Sequence, residues 1–191
     1  CDMSSDIFSR ELDFSQFDII YAGAQKNMGP AGTVLVIVKD EILGKSERQI
    51  PSMLDYQIHA SKDSMFNTPP VFAIYTSMLT LQWIKSLGGV AAVEKQNEVK
   101  AAILYNEIDS NPKFNGVAAK EDRSLMNVTF TLTDENDKER FDSLAKEAGL
   151  SGINGHRSVG GYRASIYNAM PIESIQVLIE AMQGLEKQVS K

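Results

Sequence analysis

Two short apolar runs constrain the fold most: Phe17-Asp-Ile-Ile-Tyr21 and Thr33-Val-Leu-Val-Ile-Val38. Both are rich in β-branched and aromatic residues and are bounded by glycine and proline, the pattern of buried strands. Between them lies Ala22-Gly-Ala-Gln-Lys-Asn-Met-Gly-Pro-Ala-Gly32, a loop of small residues with a single charge, Lys26. Most lysines are solvated surface charges. This one follows an apolar strand among neighbours small enough to let a bulky group reach its amine, and burial beside a ligand would make that amine a nucleophile toward a carbonyl. Spacing alone leaves both readings open.

The rest of the chain alternates helix and strand, so the expected class is α/β with a smaller α+β domain at the end. Residues 67–70 (Asn-Thr-Pro-Pro) precede a helical pattern with Val71, Ile74, Tyr75, Met78 and Leu81 on one face. Thr68 is the expected N-cap, with proline at the first helical position. Gly88-Gly89 ends that helix and sets the expected boundary between domains 1–88 and 89–191. Residues 90–108 read as a helix with its charges on one side. Met126, Val128, Phe130 and Leu132 alternate with polar residues, as in a strand with one buried face. Asp134 is the expected cap of a helix on which Phe141, Leu144, Ala145 and Ala148 share a face, closed by Gly149. In Tyr162-Arg-Ala-Ser-Ile-Tyr167, Arg163 shares a side with Ser165 and Tyr167, opposite Ala164 and Ile166. Pro171 opens a last helix with Ile172, Ile175, Ile179 and Met182 inward.

Composition narrows the function. Nineteen basic against twenty-five acidic residues give a net charge of −6, the wrong sign for a nucleic-acid binder. No apolar run is long enough to span a bilayer. The single cysteine, Cys1, permits no internal disulfide and no cysteine metal cluster, so a reducing cytoplasm is the expected setting and no metal is expected. His156 and Arg157 sit in a glycine-rich loop with Arg163 on the strand that follows, and such a cluster can surround an anion. Asn67 and Thr68 can cap a helix or bind an anion at its start; with two prolines removing backbone donors, their side chains would supply the hydrogen bonds. Asp2 and Asp6 read as turn or cap residues.

Five segments together resemble the phosphoserine aminotransferase family of fold type I pyridoxal-phosphate enzymes. They are Asp2-Met-Ser-Ser-Asp6, Tyr21-Ala-Gly-Ala-Gln-Lys-Asn27, Ser64-Met-Phe-Asn-Thr-Pro-Pro70, Gly155-His-Arg157 and Gly160-Gly-Tyr-Arg-Ala-Ser-Ile-Tyr-Asn-Ala-Met170. They match in the family's order along the whole chain. Family chains are about twice as long, and the opening at Cys1 without a methionine fits a C-terminal half that begins inside the large domain. The resemblance implies the end of the large-domain sheet in 1–88, with strand edges and apolar faces left exposed, and a small α+β domain in 89–191. Alone, such a half would be inactive.

The resemblance also implies residue roles. Lys26 would form the Schiff base with pyridoxal 5'-phosphate, Asp2 would pair with the pyridine nitrogen, and Gln25 would contact the cofactor. Asn67 and Thr68 would reach the cofactor phosphate of the neighbouring subunit in a homodimer. His156 and Arg157 would hold the substrate phosphate or side-chain carboxylate, and Arg163 the α-carboxylate. The implied reaction moves an amino group between L-glutamate and 3-phosphohydroxypyruvate, giving O-phospho-L-serine and 2-oxoglutarate in serine biosynthesis; a related substrate would serve pyridoxal-phosphate synthesis. Competing readings are another class V aminotransferase, such as an alanine–glyoxylate type, and a non-catalytic domain. A cysteine desulfurase is disfavoured because Cys1 lies beside the aspartate rather than in a separate loop.

Overall fold

The structure, a computed structural model, describes residues 1–155 and 160–187. It divides into two compact units, Cys1–Ala91 and Ala92–Lys191.

In the first unit, β1 (Ile19–Gly23) and β2 (Val34–Val38) form an antiparallel pair, Ile19 opposite Val38 and Gly23 opposite Val34. Residues 1–3 run parallel along β1: Met3 N–H donates to Tyr21 O at 2.8 Å and Tyr21 N–H to Cys1 O at 3.0 Å. Alternate β1 residues Ile20 and Ala22 are buried, with Met3 and Ile7, in a small apolar cluster. β2 was expected to be buried; instead Val34 is exposed and Leu35 and Ile37 are only partly covered. A short helix α1 (Tyr56–Ser61) is capped by Asp55, whose carboxylate accepts from Gln57 N–H. The long helix α2 (Val71–Ser86) then runs to Gly88 and Gly89, whose φ angles of 104° and 82° end it as expected.

One expectation for α2 is corrected. Its N-cap is Pro70 rather than Thr68, and no side chain caps it. The residue before a proline is pushed out of the helical region, so Thr68 and Pro69 cannot enter the first turn. The apolar stripe of α2 is among the faces left exposed, as expected for residues 1–88. Val71, Ile74, Tyr75 and Met78 are exposed, while Ala73, Ser77 and Ile84 are buried. Exposed large hydrophobics concentrate in this unit; among the described residues only Val99, Val117 and Met170 lie in the other.

The second unit is a two-layer α+β arrangement. α3 (Val90–Ser110) starts just before the division. A three-stranded antiparallel sheet has the order β3 (Phe114–Gly116), β4 (Asn127–Leu132), β5 (Tyr162–Ser165). Its apolar face, with Val128, Phe130, Leu132 and Ala164, packs on α3, α4 (Lys138–Glu147) and α5 (Ile172–Lys187). The rings of Phe114, Phe130, Phe141 and Tyr162 form its centre, with Phe141 and Tyr162 edge-on at 4.9 Å. Asp134 caps a 3-10 turn, Glu135–Asp137, that leads into α4, rather than α4 itself. Ala148, the C-cap of α4, is exposed. In α5 the buried face is centred on Ile175, Leu178, Met182 and Leu185, so Ile172 and Ile179 lie at its margin.

The charges of α3 do not all face water. Lys100 is 4% exposed, and its ammonium donates to the carbonyls of Ile166, Tyr167 and Met170 at 3.1, 2.9 and 3.2 Å. Asn97, one turn earlier, donates to Asn168 Oδ1 at 2.8 Å. Together they supply donors to the irregular segment after β5, whose carbonyls have no strand partner. Burial pushes the Lys100 ammonium down to about 8 from 10.5. Between those values the unfolded chain binds more protons than the folded one, so stability rises with pH there. Burial raises Tyr105 and Tyr162 above 10, where they act with the opposite sign. The expected result is that the unfolding free energy of the wild type gains about 2 kcal/mol between pH 8 and pH 10 relative to Lys100→Met. Urea titrations at the two pH values check it; parallel pH dependences would refute it.

Candidate active site

The loop between β1 and β2 is shaped by its own backbone. Met28 N–H and Gly29 N–H both donate to Ala24 O, at 3.1 and 2.7 Å, so the chain turns back at once and presents Gln25 and Lys26 at its tip. Because residues 1–3 follow β1 in parallel, the same strand end carries Asp2 and the serines after it.

Each charge there is held by its own serine. Asp2 Oδ1 accepts from Ser4 N–H at 2.8 Å and from Ser4 Oγ at 2.6 Å. Ser4 Oγ in turn accepts from Gly23 N–H at 3.0 Å, tying the carboxylate to the end of β1. Lys26 Nζ donates to Ser5 Oγ at 2.6 Å. The Ser4 hydroxyl, and after it the Ser4 N–H, hold the Asp2 carboxyl below its ordinary range against desolvation, with smaller help from the Lys26 charge and the Tyr21 hydroxyl. Asp2 is therefore anionic at neutral pH. Asn27, 4% exposed, donates to Ser5 O at 3.4 Å and Ile7 O at 3.3 Å, fastening the lysine loop to the serine loop. The Gln25 side-chain amide folds back over Gly23.

Asp2, Gln25 and Lys26 thus gather at one place. Asn67 and Thr68 are exposed on the segment before α2, where Asn67 Nδ2 donates to Thr68 O at 3.2 Å. Arg163 belongs to the second unit. It is exposed on β5, as the alternation predicted, its N–H donates to Ile153 O at 2.7 Å, and it lines a cavity of about 380 Å³ with Ser165, Ser174 and Leu150. His156 and Arg157 lie outside the described residues. Ser4, Ser5 and Asn27 were missed as site residues by the sequence reading. Their signal was adjacency: two serines follow the aspartate and an asparagine follows the lysine. Among the described residues no group of three or more metal-ligating side chains exists, and no helix is long and apolar enough to cross a membrane.

Comparison with known proteins is consistent along the whole chain. Phosphoserine aminotransferase of Flavobacterium johnsoniae is 70% identical over 189 residues, which cover 99% of this chain and 53% of that protein. A solved structure of phosphoserine aminotransferase from Bacillus circulans subsp. alkalophilus superposes with a TM-score of 0.93 at 42% identity, covering 98% of this chain and 52% of that one. A PLP-bound phosphoserine aminotransferase from Trichomonas vaginalis gives 0.88 at 38% identity, covering 95% and 52%. The chain therefore spans about half the length of the curated relatives it matches. It carries part of the fold type I aminotransferase architecture. Residues 1–178 match the aminotransferase class-V family, and the chain belongs to that family.

Proposed function

We propose that this chain supplies the lysine-bearing part of a phosphoserine aminotransferase, which transfers an amino group between L-glutamate and 3-phosphohydroxypyruvate to give O-phospho-L-serine and 2-oxoglutarate. The observation that carries the reading is the convergence of the Lys26 amine and the anionic Asp2 carboxylate at one strand end, each on its own serine.

The residues present fit pyridoxal 5'-phosphate. An exposed primary amine suits its aldehyde, and a carboxylate held ionised suits its pyridinium nitrogen. When bound, the cofactor supplies an electron-withdrawing ring that stabilises negative charge at the substrate Cα. Lys26 would hold it through Nζ and, once released, move a proton between the substrate Cα and the cofactor C4′ as general base and acid. Asp2 would keep the ring nitrogen protonated. Gln25 would lie against the cofactor beside Lys26. In a homodimer, Asn67 and Thr68 would reach the cofactor phosphate of the neighbouring subunit. Arg163 would clamp the substrate α-carboxylate with its planar fork, and His156 and Arg157 would take the phosphate. In this reading residues 1–88 belong to the large cofactor-binding domain and 89–191 form the small one.

The test uses a chimera in which this chain replaces the segment it matches in the Flavobacterium johnsoniae enzyme. Borohydride reduction in the presence of pyridoxal phosphate is expected to leave the reduced cofactor on the Lys26 peptide, read by mass spectrometry. Amino-acceptor profiling is expected to favour 3-phosphohydroxypyruvate over glyoxylate. An adduct on another lysine, or preference for glyoxylate, would overturn the assignment. The 191-residue chain alone is expected to show no turnover.

A further inference from the structure

We infer that Ser5 is a positioning residue for Lys26: its hydroxyl is the anchor that takes the lysine amine whenever that amine carries no cofactor, and returns it to the same place for each proton transfer. The inference rests on the function proposed above and concerns a residue to which that proposal gives no role.

The geometry is specific to Ser5. Lys26 Nζ lies 2.6 Å from Ser5 Oγ, a short contact for an ammonium donor. The neighbouring Ser4 is already committed, donating to Asp2 and accepting from Gly23 N–H, so the two serines divide the two charges between them. The backbone of Ser5 is itself fixed. Asn27 reaches back from the residue after the lysine to Ser5 O and Ile7 O, and Ile7 is fully buried. Amine and anchor are thus joined twice, once through the side chains and once through the buried amide of Asn27.

A free lysine side chain has four rotatable bonds and loses rotamer freedom when it is fixed. Without an acceptor near its working position the amine would wander into water between turnovers. An ion pair with Asp2 would be the alternative, and it would neutralise the carboxylate needed at the ring nitrogen. Ser5 offers a neutral acceptor that holds the amine and leaves the Asp2 charge to the cofactor.

Two measurements test this, one of them independent of the cofactor. In the 191-residue chain without pyridoxal phosphate, trace acetylation with acetic anhydride is read by mass spectrometry at Lys26 relative to Lys85 in the same digest. Ser5→Ala is expected to raise Lys26 labelling about threefold, the loss of one exposed hydrogen bond, while Ser4→Ala leaves it unchanged. In the chimera, Ser5→Ala is expected to lower kcat about fivefold with KM for glutamate unchanged, and to raise the isotope effect with glutamate deuterated at Cα. Unchanged Lys26 labelling in Ser5→Ala, or an equal rise in Ser4→Ala, would overturn the anchor even if the cofactor adduct forms at Lys26. Altered labelling with no adduct at Lys26 would leave the anchor standing and overturn the proposed function instead.

Discussion

Lys26→Ala in the chimera is expected to lower transamination by about a thousandfold or more, because the general base and acid of the proton transfer is removed outright. Its neighbours should not compensate. Asp2 is held ionised by Ser4 and points its charge at the ring nitrogen in the proposed arrangement, and the Ser5 hydroxyl is a weak base without the amine it holds. The binding groups stay in place, so the variant should still take up pyridoxal phosphate, seen as retained cofactor absorbance after gel filtration. Added methylamine should restore part of the turnover by supplying a small base to the space the side chain leaves. Ordinary turnover in Lys26→Ala would remove Lys26 from the mechanism, and with it the main support for the proposed reaction.

Much of this site was legible because its residues are close in sequence to strong signals. The lysine sits between two apolar strands, whereas Asp2 reads by itself as a turn or cap residue and stands out only through the resemblance. What the residues did not reveal was the division of labour between Ser4 and Ser5, which depends on residues 1–3 lying parallel to β1. Such pairing across sequence leaves no local periodicity. Lys100 escaped for a related reason. Charge on a helix reads as a solvated face, and only the irregular segment 166–170, far along the chain, makes its burial tolerable. For α2 the pattern reported the apolar stripe, which lies exposed. Periodicity says which residues share a face and nothing about what covers that face, and Phe72 is 78% exposed while Ala73 beside it is buried. The β4 alternation succeeded because the sheet has one polar and one apolar side, the case in which a period of two is unambiguous.

Phe141→Ala is expected to cost the second unit about 3–5 kcal/mol, a large part of the stability of a domain this size. Phe141 is fully buried in α4, and its ring meets Phe114 at 5.1 Å, Phe130 at 6.3 Å and Tyr162 at 4.9 Å. The cavity has little means to collapse. Tyr162 is stacked on Phe130 and its hydroxyl donates to Asp142 at 2.7 Å, so it cannot swing into the space without breaking a charge-assisted hydrogen bond. By contrast, Phe72→Ala removes a ring already in water and should change the stability of this chain by less than about 0.5 kcal/mol. Amide exchange of the β4 and β5 peptides in the 191-residue chain distinguishes the two, and a loss below about 1 kcal/mol for Phe141→Ala would refute the cluster as the core's centre. The effect should reach function as well. Tyr162 is the residue before Arg163 on β5, so a shift of the aromatic cluster moves the backbone that carries Arg163, which the proposed function gives the substrate α-carboxylate. In the chimera, Phe141→Ala should therefore raise KM for glutamate at temperatures where the protein is still folded, whereas Lys26→Ala acts on kcat.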